Sequence, residues 1–523
     1  MRTVSWCAST DRMGRAGPRR GARRRSRGRG RGRLAGVQLL HATAEAVPFA
    51  KTGGLADVLG ALPAAQAGLG HDVLVVHPWY ARLAAEPPPL WIGDVSVPFD
   101  GGEVAVGVGT LEAGGVRFAF VGHPSFQRDA LYGYPDDAWR FALFSRAVPA
   151  VAARLGFLPH VVHAHDWHAA SVPALLRHAA LLPPGFSGLP SVLTVHNAQY
   201  QGWADAADVV AWGRLPGKLA GPLALHGKGN LLHAGLRTAD RVTTVSPTYA
   251  RELLQPAVAY GLEQAFADLG PRLVGILNGL DLAAYDPAND AALASAYDAG
   301  DPSGKAACRT SLARELGLEP DRPVLGVVSR LADQKGIDLL VAALPAALEQ
   351  GWNLALLGAG DPTLEADLLT AFAAHPARLG GRIGYDEGLA RRIYAGADAL
   401  VVPSRFEPCG LAQLIAMRYG TLPVARATGG LLDTVDDGRT GFLFAAAEAP
   451  ALAGALRRAR DAYDDAERWR AMRAAAMAVR FDWARAARAY DALYGEVLAA
   501  RGAAIAAAGG DARTPAADPG TSP

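Results

Sequence analysis

With 523 residues, 50% of them hydrophobic and 20% charged, the chain can bury large cores, and its length argues for two or more domains. No apolar run reaches the roughly 18 residues of a spanning helix and no secretory signal is evident; three scattered cysteines (Cys7, Cys308, Cys409) make neither a disulfide framework nor a zinc site, so a cytoplasmic protein without a membrane partner is expected. The first 35 residues hold 12 arginines against Asp11, a balance of +11 that leaves the rest at −9 under an overall +2, which removes support for nucleic-acid binding by the folded body.

The basic head (1–35) is low in complexity and lacks an apolar period, so disorder is expected there, as it is for the Ala-, Gly- and Pro-rich tail at 501–523. Folding begins near Gly36. Val37 to Leu40 reads as a buried strand, followed by Lys51, Thr52, Gly53 and Gly54, and then by Leu55, Val58, Leu59 and Leu62 at helical spacing. A strand, a glycine turn and a helix start with a lysine beside them suit a phosphate; a plain turn with a surface lysine is equally compatible with these residues alone. Asp72 to Val76 is a second strand, and three short strands between Trp91 and Gly122 predict an antiparallel insertion. A helix from Ala138 to Leu155 leads to further strands at Val161 to His165, Ser191 to Val195, Arg241 to Val245 and Leu273 to Leu277.

That alternation predicts a doubly wound α/β domain over 36–285, with ligands at the carboxyl ends of its strands. The polar residues at those ends are His163, His165, Asp166 and His168 in HAHDWH and His196–Asn197 in TVHN. No Glu or Cys cluster completes a ligand set around these histidines, so no metal is expected and strand-end site residues or packing histidines are the readings. After a linker at 286–301, a second alternation over 302–480 predicts another Rossmann-like domain, and a helical segment at 481–500 is expected to pack back with its aromatic residues in the core. Two such domains leave a cleft between their strand ends.

In the second domain Arg330 and Lys335 stand in SRLADQKG, after a strand and before a helix. The chain has only five lysines, and Lys51 and Lys335 both flank glycine at strand-to-helix turns. Arginine forks two phosphate oxygens and lysine is a compact charge, so the three cations together suit a diphosphate, although each alone reads as a solvated surface charge. Glu407 in PSRFEPCGLAQL is either a helix cap or a free acceptor for sugar hydroxyls, and Gly429–Gly430 in TGGLLDTV is a second candidate phosphate cradle.

KTGGLADV, HAHDWH, TVHNAQYQG, VSPTYARE, ILNGLD, SRLADQKG, LLGAGD, PSRFEPCGLAQL and TGGL, in that order from about Gly36 to Tyr494, resemble the bacterial glycogen synthase and plant starch synthase family. The resemblance implies a GT-B fold and a retaining transfer of glucose from ADP-glucose to the 4-hydroxyl of a growing α-1,4-glucan; the chain has no D-x-D triplet, so neither a metal nor a cofactor is expected. It implies that Lys51, Arg330 and Lys335 contact the donor's phosphates, with N–H groups at Gly53, Gly54, Gly429 and Gly430. Glu407 would hold hydroxyls of the donor glucose, and His196, Asp166 and Asn278 would lie near the transferred sugar. His233 stands where family members carry a lysine, and Glu45 is kept in an otherwise altered HATAE.

Overall fold

A computed structural model describes residues 36–80 and 88–510; the basic head and the tail beyond 510 lie outside the described residues. Twelve strands form in the first half: β1 (Gln38–Ala42), β2 (Asp72–Pro78), β3 (Leu90–Phe99), β4 (Gly102–Ala113), β5 (Val116–Gly122), β6 (Val161–His165), β7 (Ser191–Val195), β8 (Trp203–Ala204), β9 (Ala224–Leu225), β10 (Lys228–Asn230), β11 (Arg241–Thr244) and β12 (Leu273–Gly275). Nine of them make one sheet in the order β12-β11-β7-β6-β1-β2-β5-β4-β3. β4 pairs antiparallel with both β3 and β5, and β5 joins the parallel part beside β2. The inner strands are apolar on both sides because helices cover both faces, which is the pattern a parallel sheet imposes.

The chain leaves β1 toward β2 on one side and later returns to β6 on the other, so the strand order reverses between β1 and β6. The crevice outside the carboxyl ends of those two strands is therefore where a ligand binds in such a sheet. The loop after β1 carries Lys51, and β6 runs directly into Asp166.

The second sheet is all parallel: β13 (Val324–Val328), β14 (Asn353–Gly358), β15 (Leu379–Ile383), β16 (Ala399–Val402), β17 (Leu422–Arg426) and β18 (Phe442–Phe444), in the order β15-β14-β13-β16-β17-β18. Here the order reverses between β13 and β16. Arg330 and Lys335 follow β13 and Glu407 follows β16, so both sides of this second switch point carry a candidate residue.

Sequence patterning assigns nothing regular to 203–236, yet a small sheet of β8, β10 and β9 forms there, flanked by helices Ala206–Gly213 and Leu231–Thr238. Strands of two or three residues are too short to show an alternation. The last helix, Trp483–Gly510, runs past Ala500, so residues 501–510 are helical rather than disordered. Its Trp483, Tyr490 and Tyr494 are buried in one cluster with Leu55, Val58, Leu59 and Leu62 of helix Gly54–Ala67. The last helix is thus held against the N-terminal domain, each buried aromatic contributing roughly 1.5–3 kcal/mol. Leu280 N–H donates to Phe481 O at 2.6 Å, which places the two chain crossings between the domains side by side.

Candidate active site at two switch points

The loops after β13 and β16 meet around a cavity of about 200 Å³ lined by Ser329, Arg330, Lys335, Ser404, Glu407 and Gly410, among others. Lys335 Nζ donates to Glu407 Oε2 at 2.6 Å, and Ser404 Oγ donates to the same oxygen at 2.8 Å. The pair is sheltered, with the Lys335 side chain 19% and that of Glu407 8% exposed. Glu407 is not a cap: the following helix, Ala412–Arg418, begins after Leu411 without any side-chain cap. Its carboxylate is instead held by Lys335 and Ser404 at the edge of the cavity. Arg330 is exposed, and its Nη2 donates to Gln334 Oε1 at 3.1 Å.

In the first domain the turn after β1 is closed by a carboxylate. Glu45 accepts Thr52 N–H and Thr52 Oγ1, each at 2.6 Å, Gly53 N–H at 3.2 Å and the Tyr132 hydroxyl at 2.8 Å. Gly53 N–H, expected at a phosphate, is turned to Glu45 in this structure: the helix N-terminus attracts an anion, and the chain supplies one of its own. Gly54 opens the helix with clear space where a Cβ would sit. Lys51 Nζ pairs with Asp57 at 2.6 Å. Burial works against its charge, but Asp57 and the phenols of Tyr285 and Tyr385 outweigh it and raise the pKa. Among the described residues no contact joins Lys51 to Arg330, Lys335 or Glu407.

β6 delivers Asp166 in a left-handed conformation, φ 53°, unusual for a residue with a Cβ. The geometry aims Asp166 Oδ1 at the neighbouring strand end, where it accepts His196 N–H at 2.6 Å and Asn197 N–H at 3.4 Å. Burial pushes its carboxyl up to about 7 despite those two donors. Asp166 therefore positions the loop that carries His196. One ring nitrogen from each of His41, His163 and His165 lies within 4.8 Å of the other two, but all six nitrogens are engaged: with each other, Gln66, Tyr494, Thr194 and His196. Packed, hydrogen-bonded histidines are what the structure holds there. His233 is buried, its ring near Leu223 O at 3.3 Å.

Asn278, after β12, is buried with no hydrogen-bond partner for its Oδ1, and its backbone bonds Cys409, whose thiol burial pushes up to about 12. Gly429 and Gly430, like Gly53, meet acceptors of the chain itself. Gly429 N–H donates to Glu252 Oε1 at 3.0 Å and Gly430 N–H to Glu407 O at 3.0 Å, so both donors are spent. These positions demand glycine for packing: a Cβ on Gly429, at φ 45°, would collide with Glu407 O, and one on Gly430 with Cys409 O. Glu252 ends a helix, Pro247–Glu252, that ties the domains together. Ser246 Oγ donates to Pro408 O at 2.6 Å, and the Thr248 N–H and hydroxyl both reach Asp433 at 2.7 Å. Neither Glu252 nor Ser404 is marked by composition. Ser404, three residues before Glu407, was findable only by asking what anchors that carboxylate.

Residues 38–268 match the family model of the starch synthase catalytic domain, and residues 322–461 match that of the glycosyl transferases group 1. A glycogen synthase from Deinococcus deserti is 49% identical over 466 residues, covering 88% of this chain and 100% of the relative. One from Thermus thermophilus is 44% identical over 465 residues with the same coverage. Among solved structures, the catalytic domain of starch synthase IV from Arabidopsis thaliana, bound to ADP and acarbose, superposes with a TM-score of 0.82 at 32% identity, covering 89% of this chain and 100% of that one. A sucrose-phosphate synthase from Thermosynechococcus elongatus, 22% identical with a TM-score of 0.58, covers 89% of this chain and 100% of its own and speaks for the fold alone. Two Rossmann-like domains, switch points that carry the cations and the carboxylate, and these relatives together place the chain in the glycogen synthase and starch synthase family of GT-B glucosyltransferases.

Proposed function

We propose that the chain transfers glucose from ADP-glucose to the 4-hydroxyl at the non-reducing end of an α-1,4-glucan, with the α configuration kept. The observation that carries this reading is the cavity at the β13/β16 switch point, where Arg330, Lys335 and Glu407 stand together. Breaking the glycosidic bond builds negative charge on the departing diphosphate. Lys335 and Arg330 are the cations to meet it, and a preorganised donor of this kind contributes roughly 3–4 kcal/mol to the barrier.

Glu407 is fixed through Oε2, which leaves Oε1 to accept hydroxyls of the donor glucose. His196, set by Asp166, faces the same sugar from the first domain, with Asn278 beside the join. Lys51 reaches the phosphates when the cleft closes. Retaining glycosidases place two carboxyl groups about 5–5.5 Å apart across the bond. Glu407 and Asp166 lie on different domains, and Asp166 Oδ1 is already occupied by backbone donors. The supported route is transfer on one face, with an oxygen of the leaving diphosphate taking the proton of the incoming 4-hydroxyl.

The test is ADP release from ADP-glucose with glycogen as acceptor, run beside UDP-glucose. Turnover restricted to ADP-glucose and dependent on glycogen is the expected result. A folded protein that releases no ADP overturns the reading, and faster turnover of UDP-glucose overturns the donor.

A further inference from the structure

A line of buried polar side chains runs from the last helix to His196 under the sheet's carboxyl edge. Gln66 Nε2 donates to the Tyr494 hydroxyl at 3.0 Å, and Gln66 Oε1 lies 2.7 Å from His41 Nε2. His41 Nδ1 is 3.0 Å from His165 Nε2, and His165 Nδ1 is 3.1 Å from His196 Nε2. The His41 and His165 rings are stacked, with centroids 5.3 Å apart and planes 19° from parallel. Gln66, His41 and His165 are all buried, at 1%, 0% and 0% exposure, so water does not compete for these bonds.

The direction of the line follows from one end. An amide nitrogen only donates, so with Nε2 on Tyr494 the Gln66 oxygen faces His41, and His41 Nε2 must carry the proton. A neutral imidazole has one N–H, so His41 Nδ1 is bare and accepts from His165 Nε2–H. By the same step His165 Nδ1 is bare and accepts from His196 Nε2–H. His196 is then left with a bare Nδ1, which makes no hydrogen bond among the described residues. The rings are neutral because burial lowers all three, His41 to about 4 and His196 to about 3. Tyr494, having accepted from Gln66, gives its own proton to His163 Nδ1 at 2.7 Å, and His163 Nε2–H reaches Thr194 Oγ1 at 2.6 Å, so the neighbouring branch agrees in direction.

We propose that Gln66, His41 and His165, oriented by Tyr494, form a positioning relay that holds His196 as its Nε2–H tautomer and presents Nδ1 as an acceptor to a donor-sugar hydroxyl. The proposal rests on the placement of His196 beside the transferred glucose. Its consequence is that docking of the C-terminal helix and the protonation pattern of an active-site ring are one device. Partners that orient a metal-bound histidine through its second nitrogen typically change activity about 10- to 100-fold when removed, and an effect at the low end of that scale is expected for this relay.

The experiment uses the full chain labelled with ¹⁵N-histidine, with His196 signals identified by their loss in His196→Asn. The parent should show His196 protonated at Nε2. In Gln66→Met the ring should divide between its two tautomers, and kcat should fall about 10-fold with KM for ADP-glucose nearly unchanged. His41→Asn, whose Oδ1 replaces the acceptor facing His165, should keep the parental His196 signal, whereas His41→Leu should not. If Gln66→Met does not fold, Tyr494→Phe removes only a hydroxyl and is read in the same way. A parent ring protonated at Nδ1, or a Gln66→Met protein with parental spectrum and kcat, overturns the relay. A shifted tautomer with parental kcat leaves the relay standing and overturns instead the placement of His196 beside the sugar.

Discussion

Lys335→Met removes the cation at the centre of the second switch point while keeping its length and apolar stem. In the parent, Lys335 and Ser404 share Glu407 Oε2 at 2.6 and 2.8 Å, and the Glu407 side chain is 8% exposed. Breaking a fully buried ion pair by deleting one member costs about 3–5 kcal/mol. Here the Ser404 bond survives and the cavity gives the carboxylate access to water, so the expected stability loss is lower, about 2 kcal/mol. The barrier should rise by about 3–4 kcal/mol, a 100- to 1,000-fold fall in kcat, because among the described residues no other group in contact with Glu407 is cationic. Urea denaturation and initial rates of ADP release measure the two effects separately. Adding Glu407→Gln to Lys335→Met removes the orphaned charge and should recover stability without recovering turnover. A Lys335→Met protein within threefold of parental kcat would refute the assignment of Lys335 to the departing diphosphate.

The buried histidines and Asp166 give stability a signed dependence on pH. His41, His163, His165 and His196 have folded pKa values below the usual 6.5, so their contribution is full above 6.5 and is lost as pH falls toward 4, where the unfolded chain binds the extra protons. Asp166, raised to about 7 by burial from 3.8, keeps a proton in the folded state that the unfolded chain releases, so its contribution declines as pH rises between those values; Asp166→Asn should flatten that side of a urea-midpoint profile. Gly430→Ala, whose Cβ meets Cys409 O, should cost about 1–3 kcal/mol in thermal melts. Gly54→Ala meets nothing and should not destabilise; a rise in KM for ADP-glucose in that folded protein would mark Gly54 as a phosphate contact, and an unchanged KM would remove it.

The doubly wound sheets were legible because fully buried parallel strands are apolar runs with a helix period between them, as at β2, β13 and β16. Strand ends then located most candidates: Lys51, Asp166, Arg330 and Glu407 all follow strands that flank a switch point. Which partner each residue takes was not legible. K-T-G-G and T-G-G-L carry the same signal whether an external phosphate or a carboxylate from the chain itself sits on the turn. Glu45 lies eight residues before Gly53, and Glu252 lies 177 before Gly429, so only the fold decides that both turns are filled from within. The histidine line was hidden for the same reason. HAHDWH reads as a cluster of three, but His41 and Gln66, which give the line its direction, come from β1 and from the helix after it.

With protein carboxylates on those turns, the proposed transfer leaves Lys51, Arg330 and Lys335 as the cations expected to meet the charge of the donor. Two of the three are already restrained: Lys51 by Asp57 at 2.6 Å and Lys335 by Glu407 at 2.6 Å. A free lysine or arginine carries about 2 kcal/mol of rotamer entropy, so these two amines meet the ligand with part of that cost met in folding. Arg330 is different, exposed and, among the described residues, tethered only to the neutral Gln334 at 3.1 Å, so it would have to order as a diphosphate binds. Under the proposed function its guanidinium would fork two oxygens in the bound ground state as well as in the transition state, whereas the charge that builds at the breaking bond would be met by the sheltered Lys335. Arg330→Gln should therefore raise KM for ADP-glucose by more than it lowers kcat, and Lys335→Met should do the reverse. Steady-state kinetics with saturating glycogen read both constants, and equal effects on kcat in the two variants would mean that the cations act as one unit.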